Sequence, residues 1–154
     1  MNAFERLFRH SDWATGKVLA GLSEAGPELL ARESRPSANS NLEALRHMAG
    51  TERAFLDAIS SHPVVPEPPR DLGELTSYCA ETIAGFQAFL ATTEDLGTPV
   101  YIPWWERSFA VEDCLLQVLA HSAQHRAELA WELARAGIDT GELDYIIWVD
   151  QNES

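Results

Sequence analysis

Val111–Ala136 reads VEDCLLQVLAHSAQHRAELAWELARA, a run with no Pro and no Gly. Leu115, Leu119, Leu129 and Leu133 recur in it at helical spacing, which predicts one long amphipathic helix. Ser108 is the predicted cap before it and Gly137 the predicted stop after it. Inside the run, His121 and His125 stand four residues apart, so both imidazoles project from one face, one turn above the other, and can reach one metal ion. Two imidazoles are too few for a stable first-row metal site, which needs at least one more N, O or S donor. The rest of the chain must supply it.

Working outward, three more helices are predicted. Phe4, Leu7, Phe8, Val18 and Leu22 carry a helix from Ala3 to about Leu22, ended by Gly21 and Gly26-Pro27, with a short helical piece at Pro27 to Ala31. Arg35-Pro36-Ser37-Ala38-Asn39 is loop by composition. Ser40-Asn41-Leu42-Glu43 has the spacing of a capping box and opens a second helix from about Asn41 to Ile59. Four prolines make Ser60 to Arg70 an extended spacer, and at ~3 Å per residue it covers the ~30 Å length of a helix of about twenty residues. That length permits a crossover from one end of a bundle to the other.

Asp71 and Glu74 open the third long helix, whose apolar stripe runs Leu72, Leu75, Cys79, Ile83, Phe86, Leu90 to about Thr92. Gly97, Pro99 and Val100-Tyr101-Ile102-Pro103-Trp104-Trp105 favour a short hairpin or ordered extended segment before the fourth helix. The tail Ile138 to Trp148 is too apolar to be loose and should pack back on the bundle. The expectation is an all-α four-helix bundle forming a single domain over residues 1–154.

Composition narrows the function. The net charge of −13, from 24 acidic and 11 basic residues, repels phosphate backbones and anionic lipid, so nucleic acid and membrane surfaces are not expected partners. No segment approaches the ~20 apolar residues of a membrane span. Cys79 and Cys114 lie far apart and outside any CxxC, as expected for reduced core thiols of a cytoplasmic protein.

Of five histidines, His10, His47, His62, His121 and His125, only His47 joins the pair in lying mid-helix. One imidazole from the second helix and two from the fourth would make a three-nitrogen set with open coordination positions, the arrangement of catalytic rather than structural zinc. The helical wheel puts His121 and His125 with Cys114, Glu128 and Glu132, away from the leucine stripe. Two readings therefore stand together: a ligand pair, and a solvated polar face. Glu52 falls within the second helix's apolar stripe, where an unpaired carboxylate is costly and calls for an Arg partner or a function. His10 and His62 read as ordinary surface residues, and Trp104-Trp105 as packing.

With these residues assembled, the chain resembles the DinB/YfiT-like family of metal-binding helical bundles. The resemblance rests on His10-Ser11-Asp12-Trp13-Ala14, on Leu45-Arg46-His47 followed by Glu52 and Phe55-Leu56, and on His121-Ser122-Ala123-Gln124-His125-Arg126, similar to the family's HxxxHR. It extends to Leu143-Asp144-Tyr145-Ile146 with Trp148, and it departs at Ser11, where the family often has Asn. It implies an up-down-down-up bundle, which suits the Pro-rich crossover between the second and third helices. It also implies one divalent ion held by His47, His121 and His125, nickel or zinc before iron or manganese, a homodimer, and kinship with thiol S-transferases that use bacillithiol or mycothiol. The expected function is that of a metal-dependent hydrolase or thiol S-transferase acting on a small molecule, with Glu52, Glu128 or Glu132 as base or imidazole orienter. The alternative is a non-catalytic metal-binding module for stress response or dimerisation.

Overall fold

Helix starts need partners for their orphan backbone N–H groups, and the chain finds them in three ways. The computed structural model describes residues 2–33, 39–64 and 67–153. Helix α1 (Ala3–Ala25) opens on a reciprocal capping box, in which Asn2 Oδ1 accepts from Glu5 N and Glu5 Oε2 accepts from Asn2 N. Helix α3 (Asn41–Ile59) and helix α4 (Leu72–Thr92) each have a one-sided cap: Ser40 Oγ accepts from Glu43 N at 3.1 Å and Asp71 Oδ1 from Glu74 N at 3.0 Å. The box expected at Ser40 is thus only half formed. Glu43 turns instead to the guanidinium of Arg46, at 2.9 and 2.7 Å, where two charge-assisted bonds outweigh one to a backbone amide.

Helix α5 (Val111–Arg135) corrects the expected Ser108 cap. Ser108 lies in strand β2 (Arg107–Ala110), opposite Tyr101 of strand β1 (Pro99–Ile102) in an antiparallel hairpin. The helix begins after it, and its first amides are satisfied by backbone: Val111 N donates to Thr98 O and Glu112 N to Leu96 O. The hairpin's return leg therefore leads directly into the helix. At the other end Gly137 takes φ +83°, Gly137 N donates to Ala134 O and Ile138 N to Leu133 O, the glycine stop expected there.

Gly21 does not end α1. It is buried within the helix, where an added Cβ would come within 2.9 Å of Leu133 Cδ1, so the glycine permits α1 and α5 to approach. Gly26, at φ +76°, is the terminator, and the short helix α2 (Pro27–Ala31) follows. The tail folds as helix α6 (Tyr145–Asn152) against α1, with Trp148 buried. The loop expected at Arg35 to Ala38 and the Val65-Pro66 step of the Pro-rich segment lie outside the described residues. Among the described residues the only sheet is the two-stranded hairpin, and no helix is long and apolar enough to cross a membrane.

Each of the four long helices packs on two others: α1 and α3 each contact both α4 and α5. Their apolar residues form two core clusters. One holds Phe8, Phe55, Ile59, Phe86, Leu90, Cys114 and Val118, and the other Val18, Leu22, Leu45, Leu75, Cys79, Leu129 and Leu133. Between them all four helices contribute buried polar residues: Ser11 and Thr15 from α1, Glu52 from α3, Thr82 from α4, Ser122 and Arg126 from α5. The two thiols are free and buried, one in each cluster. This polar belt is the level at which the histidines meet.

Candidate metal centre

The pairing of α3 with α5 brings His47, His121 and His125 together. Their donor nitrogens all lie within 4.8 Å of one another, with His121 Nε2 at 3.1 Å from His47 Nε2 and 3.2 Å from His125 Nε2. His47 is exposed, His121 half-buried and His125 buried, so the cluster sits at the edge of the core with one side open. The face of α5 away from the leucine stripe is therefore not a solvated one: Ser122, His125, Arg126 and Glu132 on it are all buried.

Hydrogen bonding tests whether these residues suit a cation. His125 Nδ1 donates to Glu128 Oε2 at 3.0 Å, a tautomer that leaves Nε2 bare and facing His121 Nε2 at 3.2 Å. Without a cation, the single Nε2 proton of His121 would have to serve the bare His125 nitrogen and the His47 nitrogen together. With all three Nε2 atoms bare, a central ion removes the conflict. Nitrogens about 2.05 Å from a tetrahedral ion lie roughly 3.3 Å apart, close to the two contacts observed. The donor set fits a divalent metal of the borderline class that imidazole binds.

Of the three acids considered, one reaches an imidazole. Glu128 orients His125, as a carboxylate behind a metal-ligating histidine does. Glu132 is buried and pairs with Arg135 at 3.4 Å. Glu52, 1% exposed, accepts from Ser122 Oγ at 2.6 Å, and its other oxygen has no partner among the described residues. Burial raises its pKa, while Ser122 and the charge of Arg126 act in the opposite sense. The Arg expected beside Glu52 is thus present as a charge and not as a hydrogen-bond partner. Arg126 Nη1 donates to Ser11 Oγ at 2.7 Å and more weakly to Thr15 Oγ1 at 3.4 Å. The side chain at position 11 is therefore an anchor for the arginine.

His10 is not an ordinary surface residue. Its Nε2 donates to Leu143 O at 2.7 Å and its ring packs against Trp13, Tyr145 and Trp148, tying the tail to α1. His62 is exposed, as expected. Trp104 and Trp105, 42% and 46% exposed, both rest on buried Phe55. Sequence reasoning quoted Arg46 in the Leu45-Arg46-His47 stretch but gave it no role of its own. Its guanidinium is buried beside His47 and donates to Pro68 O and Pro69 O, which holds the Pro-rich segment against α3. Only the position of Arg46, next to a candidate ligand, could have marked it.

Two of the imidazoles, His121 and His47, are biased toward the neutral form. Burial, then the neighbouring His125 and His47, pushes the pKa of His121 down to about 4, and burial lowers that of His47. An unfolded imidazole titrates near 6.5, so between that pH and about 4 the unfolded chain binds more protons than the folded one. The stability these rings contribute is complete above pH 6.5 and lost as the pH falls toward about 4. In metal-free protein the thermal midpoint should fall between pH 7 and 4.5, and His121→Ala should flatten that fall. Melting curves decide it, and an equally steep fall in the variant would remove His121 as the cause.

Three imidazoles converging between two facing helices, with one edge open, define a helical bundle of the kind that builds metal centres in its core. The chain belongs to the DinB superfamily, whose family model matches residues 11–129 and so spans all three histidines. Among solved structures it is similar to a DinB-like protein from Bacillus cereus ATCC 10987, at 17% identity with a TM-score of 0.71. That match covers 90% of this chain and 94% of the other, and it is a likeness of fold. No curated protein matches the chain.

Proposed function

We propose that His47, His121 and His125 hold one divalent metal ion, nickel or zinc in the first instance, and that the chain is a metal-dependent enzyme acting on a small molecule by hydrolysis or thiol transfer. The observation that carries this reading is the convergence of three Nε2 atoms from two helices with one side left open. A bound divalent ion supplies Lewis acidity, lowering the pKa of a water or thiol that ligates it. Glu128 keeps the His125 lone pair directed into the cluster. The buried flank of α5 shields one side from water.

A cavity of about 450 Å³ opens at His47, lined also by Gly50, Thr51, Ala54 and Trp104. An exposed ligand facing a concave, partly polar space supports the enzyme over a non-catalytic module, which would close its metal in. We infer a single up-down-down-up bundle domain as its scaffold. Two observations support it. The chain leaves α3 at Ile59 yet Pro68 and Pro69 lie back beside Arg46, and the core clusters pair the same ends of α3 with α4 and of α1 with α5.

Elemental analysis of protein purified without an affinity tag tests the reading, together with nickel and zinc titration of the chelated protein. About one ion per chain, with a small thiol shifting the absorption of the nickel or cobalt form, is the expected result. Absence of uptake from either metal would end it.

A further inference from the structure

A second cavity, of about 630 Å³, lies between the hairpin and the first turns of α5. Its walls are aromatic. Trp105 and Phe109 of the hairpin meet edge to face, their ring centres 5.5 Å apart, and Phe55 of α3 lies 5.7 Å from Trp105, so the three rings form one continuous wall. Arg107 stands on the rim with its guanidinium carbon 5.0 Å above the Phe109 ring, and no carboxylate among the described residues pairs with it. Asp113, in the first turn of α5, also lines the cleft, and it forms no ion pair with Arg107 among the described residues. Among the described residues Arg107 is thus the one cation that lines the cleft, and no ion pair ties it up. A volume in the range of small-molecule sites, apolar walls and one cation at the rim are the features such sites share.

Position relates this cleft to the histidines. On α3, His47, Thr51 and Phe55 follow at intervals of four, and on α5 Gln117 precedes His121 by four, so each helix presents one face running from the cluster to the cleft. Thr51 lines the cavity at His47, while Phe55 and Gln117 line the second. The tryptophan pair is divided in the same way, Trp104 belonging to the first cavity and Trp105 to the second. From His121 to Gln117 is about 6 Å of helix, one turn.

We propose that this cleft is a second substrate subsite and that it takes a flat, aromatic or conjugated group bearing a carboxylate, packed against the wall that Trp105 and Phe109 form, with its anion on Arg107. That it serves the reaction rests on the metal-centre reading above; that it binds such a group does not. Ring stacking and a guanidinium–carboxylate pair are both short-range and need no metal.

The test is an NMR titration of the tryptophan indole N–H signals with 2-naphthoate and with neutral 2-naphthalenemethanol, on the protein as purified and after chelation. The Trp105 signal, assigned through Trp105→Phe, should move with naphthoate in both samples. Arg107→Gln should weaken naphthoate about tenfold or more and leave the neutral alcohol within about twofold, as expected for loss of one charge-assisted bond. Phe109→Ala should weaken both. Equal loss of both ligands in Arg107→Gln, or no shift at Trp105, would overturn the proposal. So would binding seen only before chelation, because the carboxylate would then sit on a metal. Metal uptake is measured separately, so a failed subsite leaves the metal centre standing and a failed metal centre leaves the subsite testable.

Discussion

His125→Ala should weaken divalent-metal binding by more than about 100-fold, and Glu128→Ala by about 10–100-fold. His125 is the most buried of the three imidazoles and the one whose orientation is fixed from behind, with Nδ1 on Glu128 at 3.0 Å and Nε2 facing His121 at 3.2 Å. Removing it takes away one of three donors and leaves two imidazoles on different helices. Removing Glu128 takes away no donor. It frees the His125 ring to rotate or to change tautomer, so the loss should be the smaller one typical of partners behind a ligand. Glu128→Gln should recover part of that loss, since its amide oxygen can still accept from Nδ1–H. Competition with a chromogenic chelator measures all three variants, and circular dichroism checks that helix content is retained. If His125→Ala binds nickel and zinc as tightly as the parent, the ion is held elsewhere and the triad is wrong.

The ordering of those effects also shows what the sequence could and could not reveal. Helix bounds were legible because local chemistry sets them: Ser40 and Asp71 cap their helices, Gly137 stops α5, and cap signals together with apolar spacing gave Asn41–Ile59 and Leu72–Thr92. The start of α5 at Val111 was legible but its cap was not, because its first amides are satisfied by Leu96 and Thr98 backbone that no pattern announces. Nor was Gly21, which reads as a terminator until Leu133 of a distant helix is brought against it. The sequence offered His47 as a partner for His121 and His125, yet His10 also lies mid-helix, in α1, and the wheel left the face of the pair ambiguous. The reason is the polar belt. A wheel averages over the whole helix, whereas α5 is apolar at Leu115 and Val118, polar and buried at Ser122, His125 and Arg126, and apolar again at Leu129. A band across the bundle is invisible to a periodicity that runs along it.

The belt predicts an asymmetry between its two ionisable members. Glu52→Leu should cost about 3–5 kcal/mol, the range for removing one partner of a buried charge pair, while Arg126→Leu should cost less at neutral pH. The two side chains are comparably buried, at 1% and 4% exposure, and each lowers the other's cost of being charged. They differ in how each can respond to the loss of its partner. Glu52 can take up a proton and become neutral, a direction in which burial already drives it. A guanidinium cannot give one up, so Arg126 without Glu52 remains a buried cation whose hydrogen bonds, among the described residues, go to the hydroxyls of Ser11 and Thr15. The pH dependence follows with a definite sign. In Arg126→Leu the folded pKa of Glu52 rises further above its unfolded value, so that group's contribution is fully present below the unfolded carboxyl pKa and is lost as pH rises through the folded one. The Arg126→Leu variant should therefore regain stability relative to the parent as the pH falls from 7 toward 4.5, and Glu52→Leu should not. Adding Arg126→Leu to Glu52→Leu should restore part of what the first substitution lost, because it removes the stranded charge. Urea denaturation of the two single variants and the double variant at both pH values measures each of these. Equal losses that do not change with pH would mean that Glu52 and Arg126 act as packing alone.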